Sequence, residues 1–133
     1  MEVKLTLNNS FFEGTNARGA RIKLGPGLDD GVSPMEAVLL AAGGCSGLDV
    51  VSILGKMRQP LQALEIQVVG ERQEEHPRYF RTITIKYLLK GNLDPEKVKH
   101  AIELSLNKYC SVTNGLAPKA RITYAFEISG GNE

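Results

Sequence analysis

The sequence predicts an α+β domain on three observations: short period-two alternations along the chain, a long apolar helix announced at Ser33-Pro34, and an amphipathic helix announced at Asp94-Pro95. Val3-Lys4-Leu5-Thr6-Leu7 alternates apolar with polar, Phe11-Phe12 opens a second short apolar piece, and Ala20 to Leu24 alternates again. An N-terminal antiparallel meander is therefore expected. Gly25-Pro26-Gly27-Leu28-Asp29-Asp30-Gly31 is dense in turn formers and reads as a loop. Ser33, Pro34 and Glu36 then supply an N-cap, a first-turn proline and the acidic partner of a capping box.

That helix should continue to about Met57, roughly 36 Å at 1.5 Å per residue. Its first two-thirds is apolar or small on every side. A helix without a polar face needs protein all round it, and one small domain has little to enclose it with, which predicts a homodimer. Gly43 and Gly44 each cost about 1 kcal/mol against alanine inside a helix, so they predict a close backbone approach or a local break. Leu64 to Val68 and Thr82 to Tyr87 alternate on either side of a polar connection, Gln73 to Pro77, and read as a hairpin. After Asp94-Pro95, the residues Val98, Ala101, Ile102, Ser105 and Tyr109 form one stripe at helical spacing. Ala120 to Ile128 alternates as a last strand, and Gly130 to Glu133 should fray.

With 133 residues and 42% hydrophobic content, the chain is sized for one domain spanning residues 1–133. Sixteen basic residues stand against fifteen acidic ones, a net charge of +1, which argues against nucleic acid as a partner. The N-terminus lacks the basic start and apolar middle of a secretory signal, so a cytoplasmic protein is expected. Ala37 to Leu54 approaches the length of a membrane span, but Ser46, Asp49, Ser52 and several glycines interrupt it, and no span is expected. His76 and His100 share no ligand spacing with each other or with a cysteine, so neither a metal site nor a cofactor is expected.

The two cysteines, Cys45 and Cys110, are seldom a standing disulfide in such a compartment. A buried cysteine is more often inert filling than a reactive group. To react, it must be an accessible thiolate. Cys45 lies about three turns inside its helix, where the helix N-terminus contributes little. Burial and Asp49, one turn on, both oppose a negative sulfur there, so a cation must come from elsewhere. Cys110 stands near the C-terminal end of the second helix, where the dipole disfavours an anion. It is the poorer attacker and the candidate resolving thiol.

The run Ser33-Pro34-Met35-Glu36-Ala37-Val38-Leu39-Leu40-Ala41-Ala42-Gly43-Gly44-Cys45-Ser46 resembles the cysteine helix of the OsmC/Ohr family. Lys108-Tyr109-Cys110-Ser111-Val112 resembles that family's second signature, and the order of elements is similar over nearly the whole chain. The run from Met35 to Leu54 is closest to a less characterised bacterial branch. The resemblance implies an OsmC-like fold, with antiparallel sheets wrapped around a long buried cysteine-bearing helix in an intertwined homodimer. It also implies a thiol-dependent peroxidase of oxidative-stress defence. In that chemistry Cys45 attacks an organic hydroperoxide and becomes a sulfenic acid, Cys110 condenses with it to a disulfide, and a lipoyl-type or other small dithiol reduces the pair. Only the resemblance pairs the two cysteines. An apolar approach to Cys45 would favour alkyl or fatty-acid hydroperoxides over hydrogen peroxide.

The chain departs from the hydroperoxide reductases in two places. Their glutamate, which steadies a catalytic arginine, falls ten positions before the cysteine, where this chain has Met35. Glu36 is one step later, about 100° round the helix, and its capping role explains it equally well. The family's arginine sits in a glycine-containing turn of the meander, and Asn16 to Arg21 offers both Arg18 and Arg21. Arg18, beside Gly19, is the better match. These departures keep open a second function, a non-catalytic module that binds a small ligand or senses oxidation.

Overall fold

In the first of two units of the computed structural model, Met1–Val38, the expected meander forms from β1 (Val3–Asn8), β2 (Phe11–Asn16) and β3 (Arg21–Leu24). They pair antiparallel in the order β1-β2-β3. The structure describes residues 1–26 and 31–130; the middle of the expected turn-rich loop and the last residues of the expected fray lie outside the described residues. Directly paired residues share a face of a sheet. Leu5 stands opposite Gly14, Leu7 opposite Phe12, and Gly14 opposite Ile22, so one face collects the apolar side chains. Within the single chain Val3, Leu5, Leu7, Phe12 and Ile22 on that face are exposed.

Helix α1 (Pro34–Lys56) starts as its caps predict. The Ser33 hydroxyl accepts from the Glu36 N–H at 3.1 Å, and the Glu36 carboxylate accepts from the Ser33 N–H at 2.8 Å. This is a closed capping box. The helix buries Ala42, Gly43, Ser46, Gly47, Val50 and Leu54, which recur every three or four residues and so form one face. Leu40, Leu48 and Val51 point away from that face and are exposed. The expected burial on all sides is therefore not met by one chain, which encloses α1 on one side only. By length and composition α1 could cross a membrane, a test that a core helix also passes.

The second unit, Leu39–Glu133, holds a sheet of β4 (Leu61–Arg72), β5 (Phe80–Gly91) and β6 (Arg121–Ser129) in the order β4-β5-β6. The hairpin β4-β5 is antiparallel, as expected. The expectation of antiparallel sheets throughout is corrected at β6, which runs parallel to β5 with Ile83 beside Ile122 and Tyr87 beside Phe126. The cause is the connection: a helical segment carries the chain from the end of β5 back to the end where β5 began, and a strand entered that way can only run parallel. Alternate residues of β5, Ile83, Ile85, Tyr87 and Leu89, are buried, and with Val50, Leu54, Val98, Ala101 and Ile102 they make the core. Each buried valine, leucine or isoleucine among them contributes about 1.5–3 kcal/mol.

The two glycines of α1 differ. A Cβ at Gly43 would lie 2.8 Å from Val68 Cγ2, and one at Gly47 would lie 2.6 Å from Ile66 Cδ1. These positions let the helix backbone close on β4. At Gly44 a Cβ would meet nothing within 4 Å, and α1 continues through it without a break.

The connection from β5 to β6 opens with α2 (Pro95–Leu104), capped by Asp94, whose carboxylate accepts from the Glu96 N–H at 2.9 Å. It widens into a π turn over Ser105–Tyr109 and ends in a short helix, α3 (Ser111–Leu116). The predicted stripe holds for Val98, Ala101, Ile102 and Ser105, all buried, but fails at Tyr109, which is exposed. In the π turn the Cys110 N–H donates to the Ser105 carbonyl at 2.7 Å, a bond from i to i−5. Five residues, not four, make that turn, so Cys110 takes the buried place beneath Ser105.

Candidate active site

Cys45 lies midway along α1 and is half-buried, whereas Cys110, at the junction of the π turn and α3, is 0% exposed. Burial pushes the Cys110 thiol up from its ordinary value, and hydrogen bonding and charge from Cys45 add to that push. The hydrogen-bonding effect of Cys45 acts only over short range, so the two side chains lie near one another despite their separation in sequence. Cys110 is also the N-cap of α3, where its sulfur accepts from the Thr113 N–H at 3.4 Å, an interaction that favours the anion. The sequence argument placed Cys110 at an unfavourable helix C-terminus; its side chain in fact caps the N-terminus of the next helix. Burial still outweighs that cap.

Around the pair runs a chain of hydroxyls that the sequence reading did not assemble. Tyr87 Oη on β5 stands 2.5 Å from Ser46 Oγ on α1. Ser105 Oγ stands 2.9 Å from Ser46 Oγ and 2.9 Å from Asp49 Oδ2. An ionised carboxylate only accepts, and Ser105 has a single hydroxyl proton. The arrangement that satisfies every oxygen sends Ser105 to Asp49, Ser46 to Ser105 and Tyr87 to Ser46. Burial raises the Tyr87 phenol to about 12; the bond to Ser46 acts against it, and the charges of Cys110 and Asp49 act with it. Asp49, read from sequence as a charge opposing a negative sulfur at Cys45, bonds to Ser105 of its own chain. The available signal for this cluster was Ser105 itself, a polar residue on a buried helical stripe, which has to find a partner.

The other predicted residues lie in the first unit. Glu36 has its carboxylate engaged in the capping box. Arg18 is exposed, in the turn between β2 and β3. Its backbone N–H donates to the Asn16 side chain at 3.0 Å, and Gly19 beside it has a φ of 88°, a conformation that favours glycine. Arg21 pairs with Glu13 at 3.2 Å. Thus the structure sets Cys45 near Cys110, holds Glu36 in the cap, and, among the described residues, gives Arg18 no ion pair like the one that Arg21 makes with Glu13.

Two cavities flank α1 in the second unit. A groove of about 460 Å³ runs between its outer face and β4, lined by Leu39, Gly43, Leu48, Leu64, Ile66 and Val68 among others. Cys45 does not line it, so the expected apolar approach to Cys45 is not this groove. A cavity of about 360 Å³ is bordered by Asp49, Lys56, Leu104 and Tyr109. It lies on the cysteine side, since Asp49 is one turn from Cys45 and Tyr109 precedes Cys110.

Residues 27–125 match the family model described as OsmC-like protein. The chain belongs to the OsmC-like family. Protein YhfA of Escherichia coli K12 is 44% identical over 119 residues, which cover 88% of this chain and 89% of YhfA. A hypothetical protein from Aquifex aeolicus VF5 has a crystal structure with a TM-score of 0.91 and 34% identity, covering 98% of this chain and 97% of its own. The organic hydroperoxide resistance protein OhrB of Bacillus subtilis shares the fold at a TM-score of 0.67 and 15% identity, covering 95% of this chain and 96% of its own. The OsmC-like fold is thus common to relatives close in sequence and to others at the distance of OhrB.

Proposed function

We propose that this OsmC-like protein is a thiol-dependent peroxidase that reduces organic hydroperoxides through Cys45 and Cys110. The reading is supported by the closeness of the two cysteines, near enough for Cys45 to raise the Cys110 thiol, with Cys45 half-buried and Cys110 buried. Of the two, the half-buried Cys45 is the one a peroxide can reach, and in this reading the buried Cys110 resolves it. The Cys45 thiolate attacks the O–O bond, the alkoxide leaves as an alcohol after taking a proton, and Cys45 becomes a sulfenic acid. Cys110 then displaces the sulfenic oxygen as water, and a small dithiol, of lipoyl type in the family's pattern, returns both thiols. In this reading Arg18 supplies the positive charge that favours the thiolate. The working form is a homodimer, supported by the apolar faces that the meander and α1 leave uncovered in one chain.

Reduced protein, cumene hydroperoxide and excess dithiothreitol test the proposal directly. Peroxide should disappear faster than in buffer with dithiothreitol alone, and no acceleration would overturn the peroxidase. One observation favours a second reading, a redox-sensing or ligand-binding module. Glu36 turns one carboxylate oxygen to the Ser33 N–H, and among the described residues it forms no ion pair with an arginine. A single stoichiometric oxidation of the cysteines without turnover would select it.

A further inference from the structure

Ser46 and Ser105 are 0% exposed in a mostly apolar core, and Tyr87 joins them with its whole side chain buried. Apolar side chains of similar shape can often replace a buried, mutually bonded set of hydroxyls at little loss of stability. The cluster therefore invites an explanation beyond stability, and its placement supplies one. Ser46 follows Cys45 in α1, and Asp49 lies one turn further on the same helix. Ser105 opens the π turn and accepts, through its carbonyl, the N–H of Cys110. Its hydroxyl at the same time reaches both Ser46 and Asp49 at 2.9 Å. One residue thus ties the segment that carries Cys45 to the turn that carries Cys110.

We propose that Ser105 is a positioning residue for disulfide formation, clamped by Ser46 and Asp49 so that the π turn holds Cys110 against Cys45. This rests on the reading of the two cysteines as a redox couple. A π turn is a rare winding that needs support. Were it to relax to an α-helix, each later residue would rotate by about 100°, bringing Tyr109 onto the buried stripe and carrying Cys110 away from it. Disulfide formation tolerates little such movement, because the bond needs Cα atoms about 4.4–6.8 Å apart with directed Cβ vectors. In the peroxide cycle the step served is Cys45–SOH plus Cys110–SH. The S–S bond forms, the S–O bond breaks, and the sulfenic oxygen leaves as water with the Cys110 proton. The same pair can be oxidised by a disulfide reagent, which removes both thiol protons and is itself reduced to a dithiol.

The test uses that second route, because it does not require peroxide chemistry. Full-length protein is equilibrated with mixtures of oxidised and reduced dithiothreitol, and the Cys45–Cys110 disulfide is quantified for the unmutated chain, Ser105→Ala and Ser105→Thr. Ser105→Ala should lower the equilibrium constant for forming the disulfide by about tenfold or more, as expected when a positioning contact is lost. Ser105→Thr, which retains the hydroxyl, should recover most of it. Thermal melts establish that each variant is folded, and Asp49→Ala, which removes the outer anchor of the clamp, replaces Ser105→Ala if the latter does not fold. An unchanged constant in folded Ser105→Ala or its replacement would overturn the proposal, as would absence of the disulfide in the unmutated chain. If the constants respond as expected while peroxide is not consumed, the peroxidase reading fails and the clamp stands.

Discussion

Opposing influences meet on the sulfur of Cys110: burial and Cys45 keep its proton on, and the Thr113 N–H at the start of α3 favours its anion. Removing either cysteine should therefore produce a different failure. Cys45→Ser should leave the protein unmodified by peroxide, because a hydroxyl does not furnish the attacking anion. Cys110→Ser should gain oxygen, stopping at the sulfenic acid and passing to the sulfinic acid in excess peroxide, whereas the unmutated chain loses a pair of hydrogens to its disulfide. Intact-mass spectrometry reads all three, and oxygen on Cys45→Ser with none on Cys110→Ser would reverse the roles. The phenols make a second prediction. Tyr87 is raised to about 12 by burial, and Tyr124 to about 12 by burial and by its bond to Glu103 at 2.8 Å. Folding holds these protons more tightly than the unfolded chain does. The stability they contribute is complete below the ordinary value of 10.0 and is lost as pH rises towards about 12. Tyr87→Phe should flatten that alkaline loss, followed by urea midpoints through the same pH range; an unaltered slope would show that Tyr87 keeps its proton no better folded than unfolded. At this scale the cysteines were legible because a reactive residue type is rare and its flanking run resembles a known one. Tyr87, Ser46 and Ser105 were not, because serine and tyrosine are common and only the fold brings these three to one point.

Along the elements, helix starts were legible because a cap is written within a few residues: Ser33 with Glu36, and Asp94 with Pro95, act locally whatever surrounds them. The direction of β6 was not, because period-two alternation is the same for a parallel and an antiparallel strand. Nor was the π turn, since one residue too many in a turn leaves composition unchanged and shows only as Tyr109 leaving the stripe for Cys110. The glycines of α1 were legible as a pair and separable only in the structure. Gly43→Ala should destabilise the protein by about 1–3 kcal/mol, since the new methyl overlaps Val68, a stiff β-branched side chain. Gly44→Ala has space within the chain, and there alanine should add about 1 kcal/mol through helix propensity. Denaturant unfolding compares the two, and equal losses would mean that something outside the single chain also presses on Gly44.

Among the described residues the chain leaves apolar side chains exposed in groups on the meander and on α1, and singly at Val69 of β4 and Tyr109 of the π turn. On the meander these are Val3, Leu5, Leu7, Phe12 and Ile22; on α1 they are Leu40, Leu48 and Val51. Scattered single exposures need no explanation, but contiguous apolar faces mark contacts with another surface. A second copy is the occupant predicted from the all-round apolar helix, and it would cover the side of α1 that its own chain does not. Leu48, 75% exposed in the single chain, is the sharpest probe of that side. Leu48→Glu should cost little in an isolated chain, where the carboxylate would remain in water. In a dimer closed over α1 it would bury an unpaired charge, and the dissociation constant should rise at least ~100-fold, about 2.7 kcal/mol. Leu48→Met, which keeps the volume and the apolar character, should stay near the unmutated value. Sedimentation at micromolar concentration measures all three: the unmutated chain of 14.5 kDa should sediment at twice its mass, and Leu48→Glu should shift towards the single chain. An unmutated chain that sediments alone overturns the dimer. A dimer indifferent to Leu48→Glu moves the contact to the meander, where Leu5→Glu becomes the substitution that breaks it.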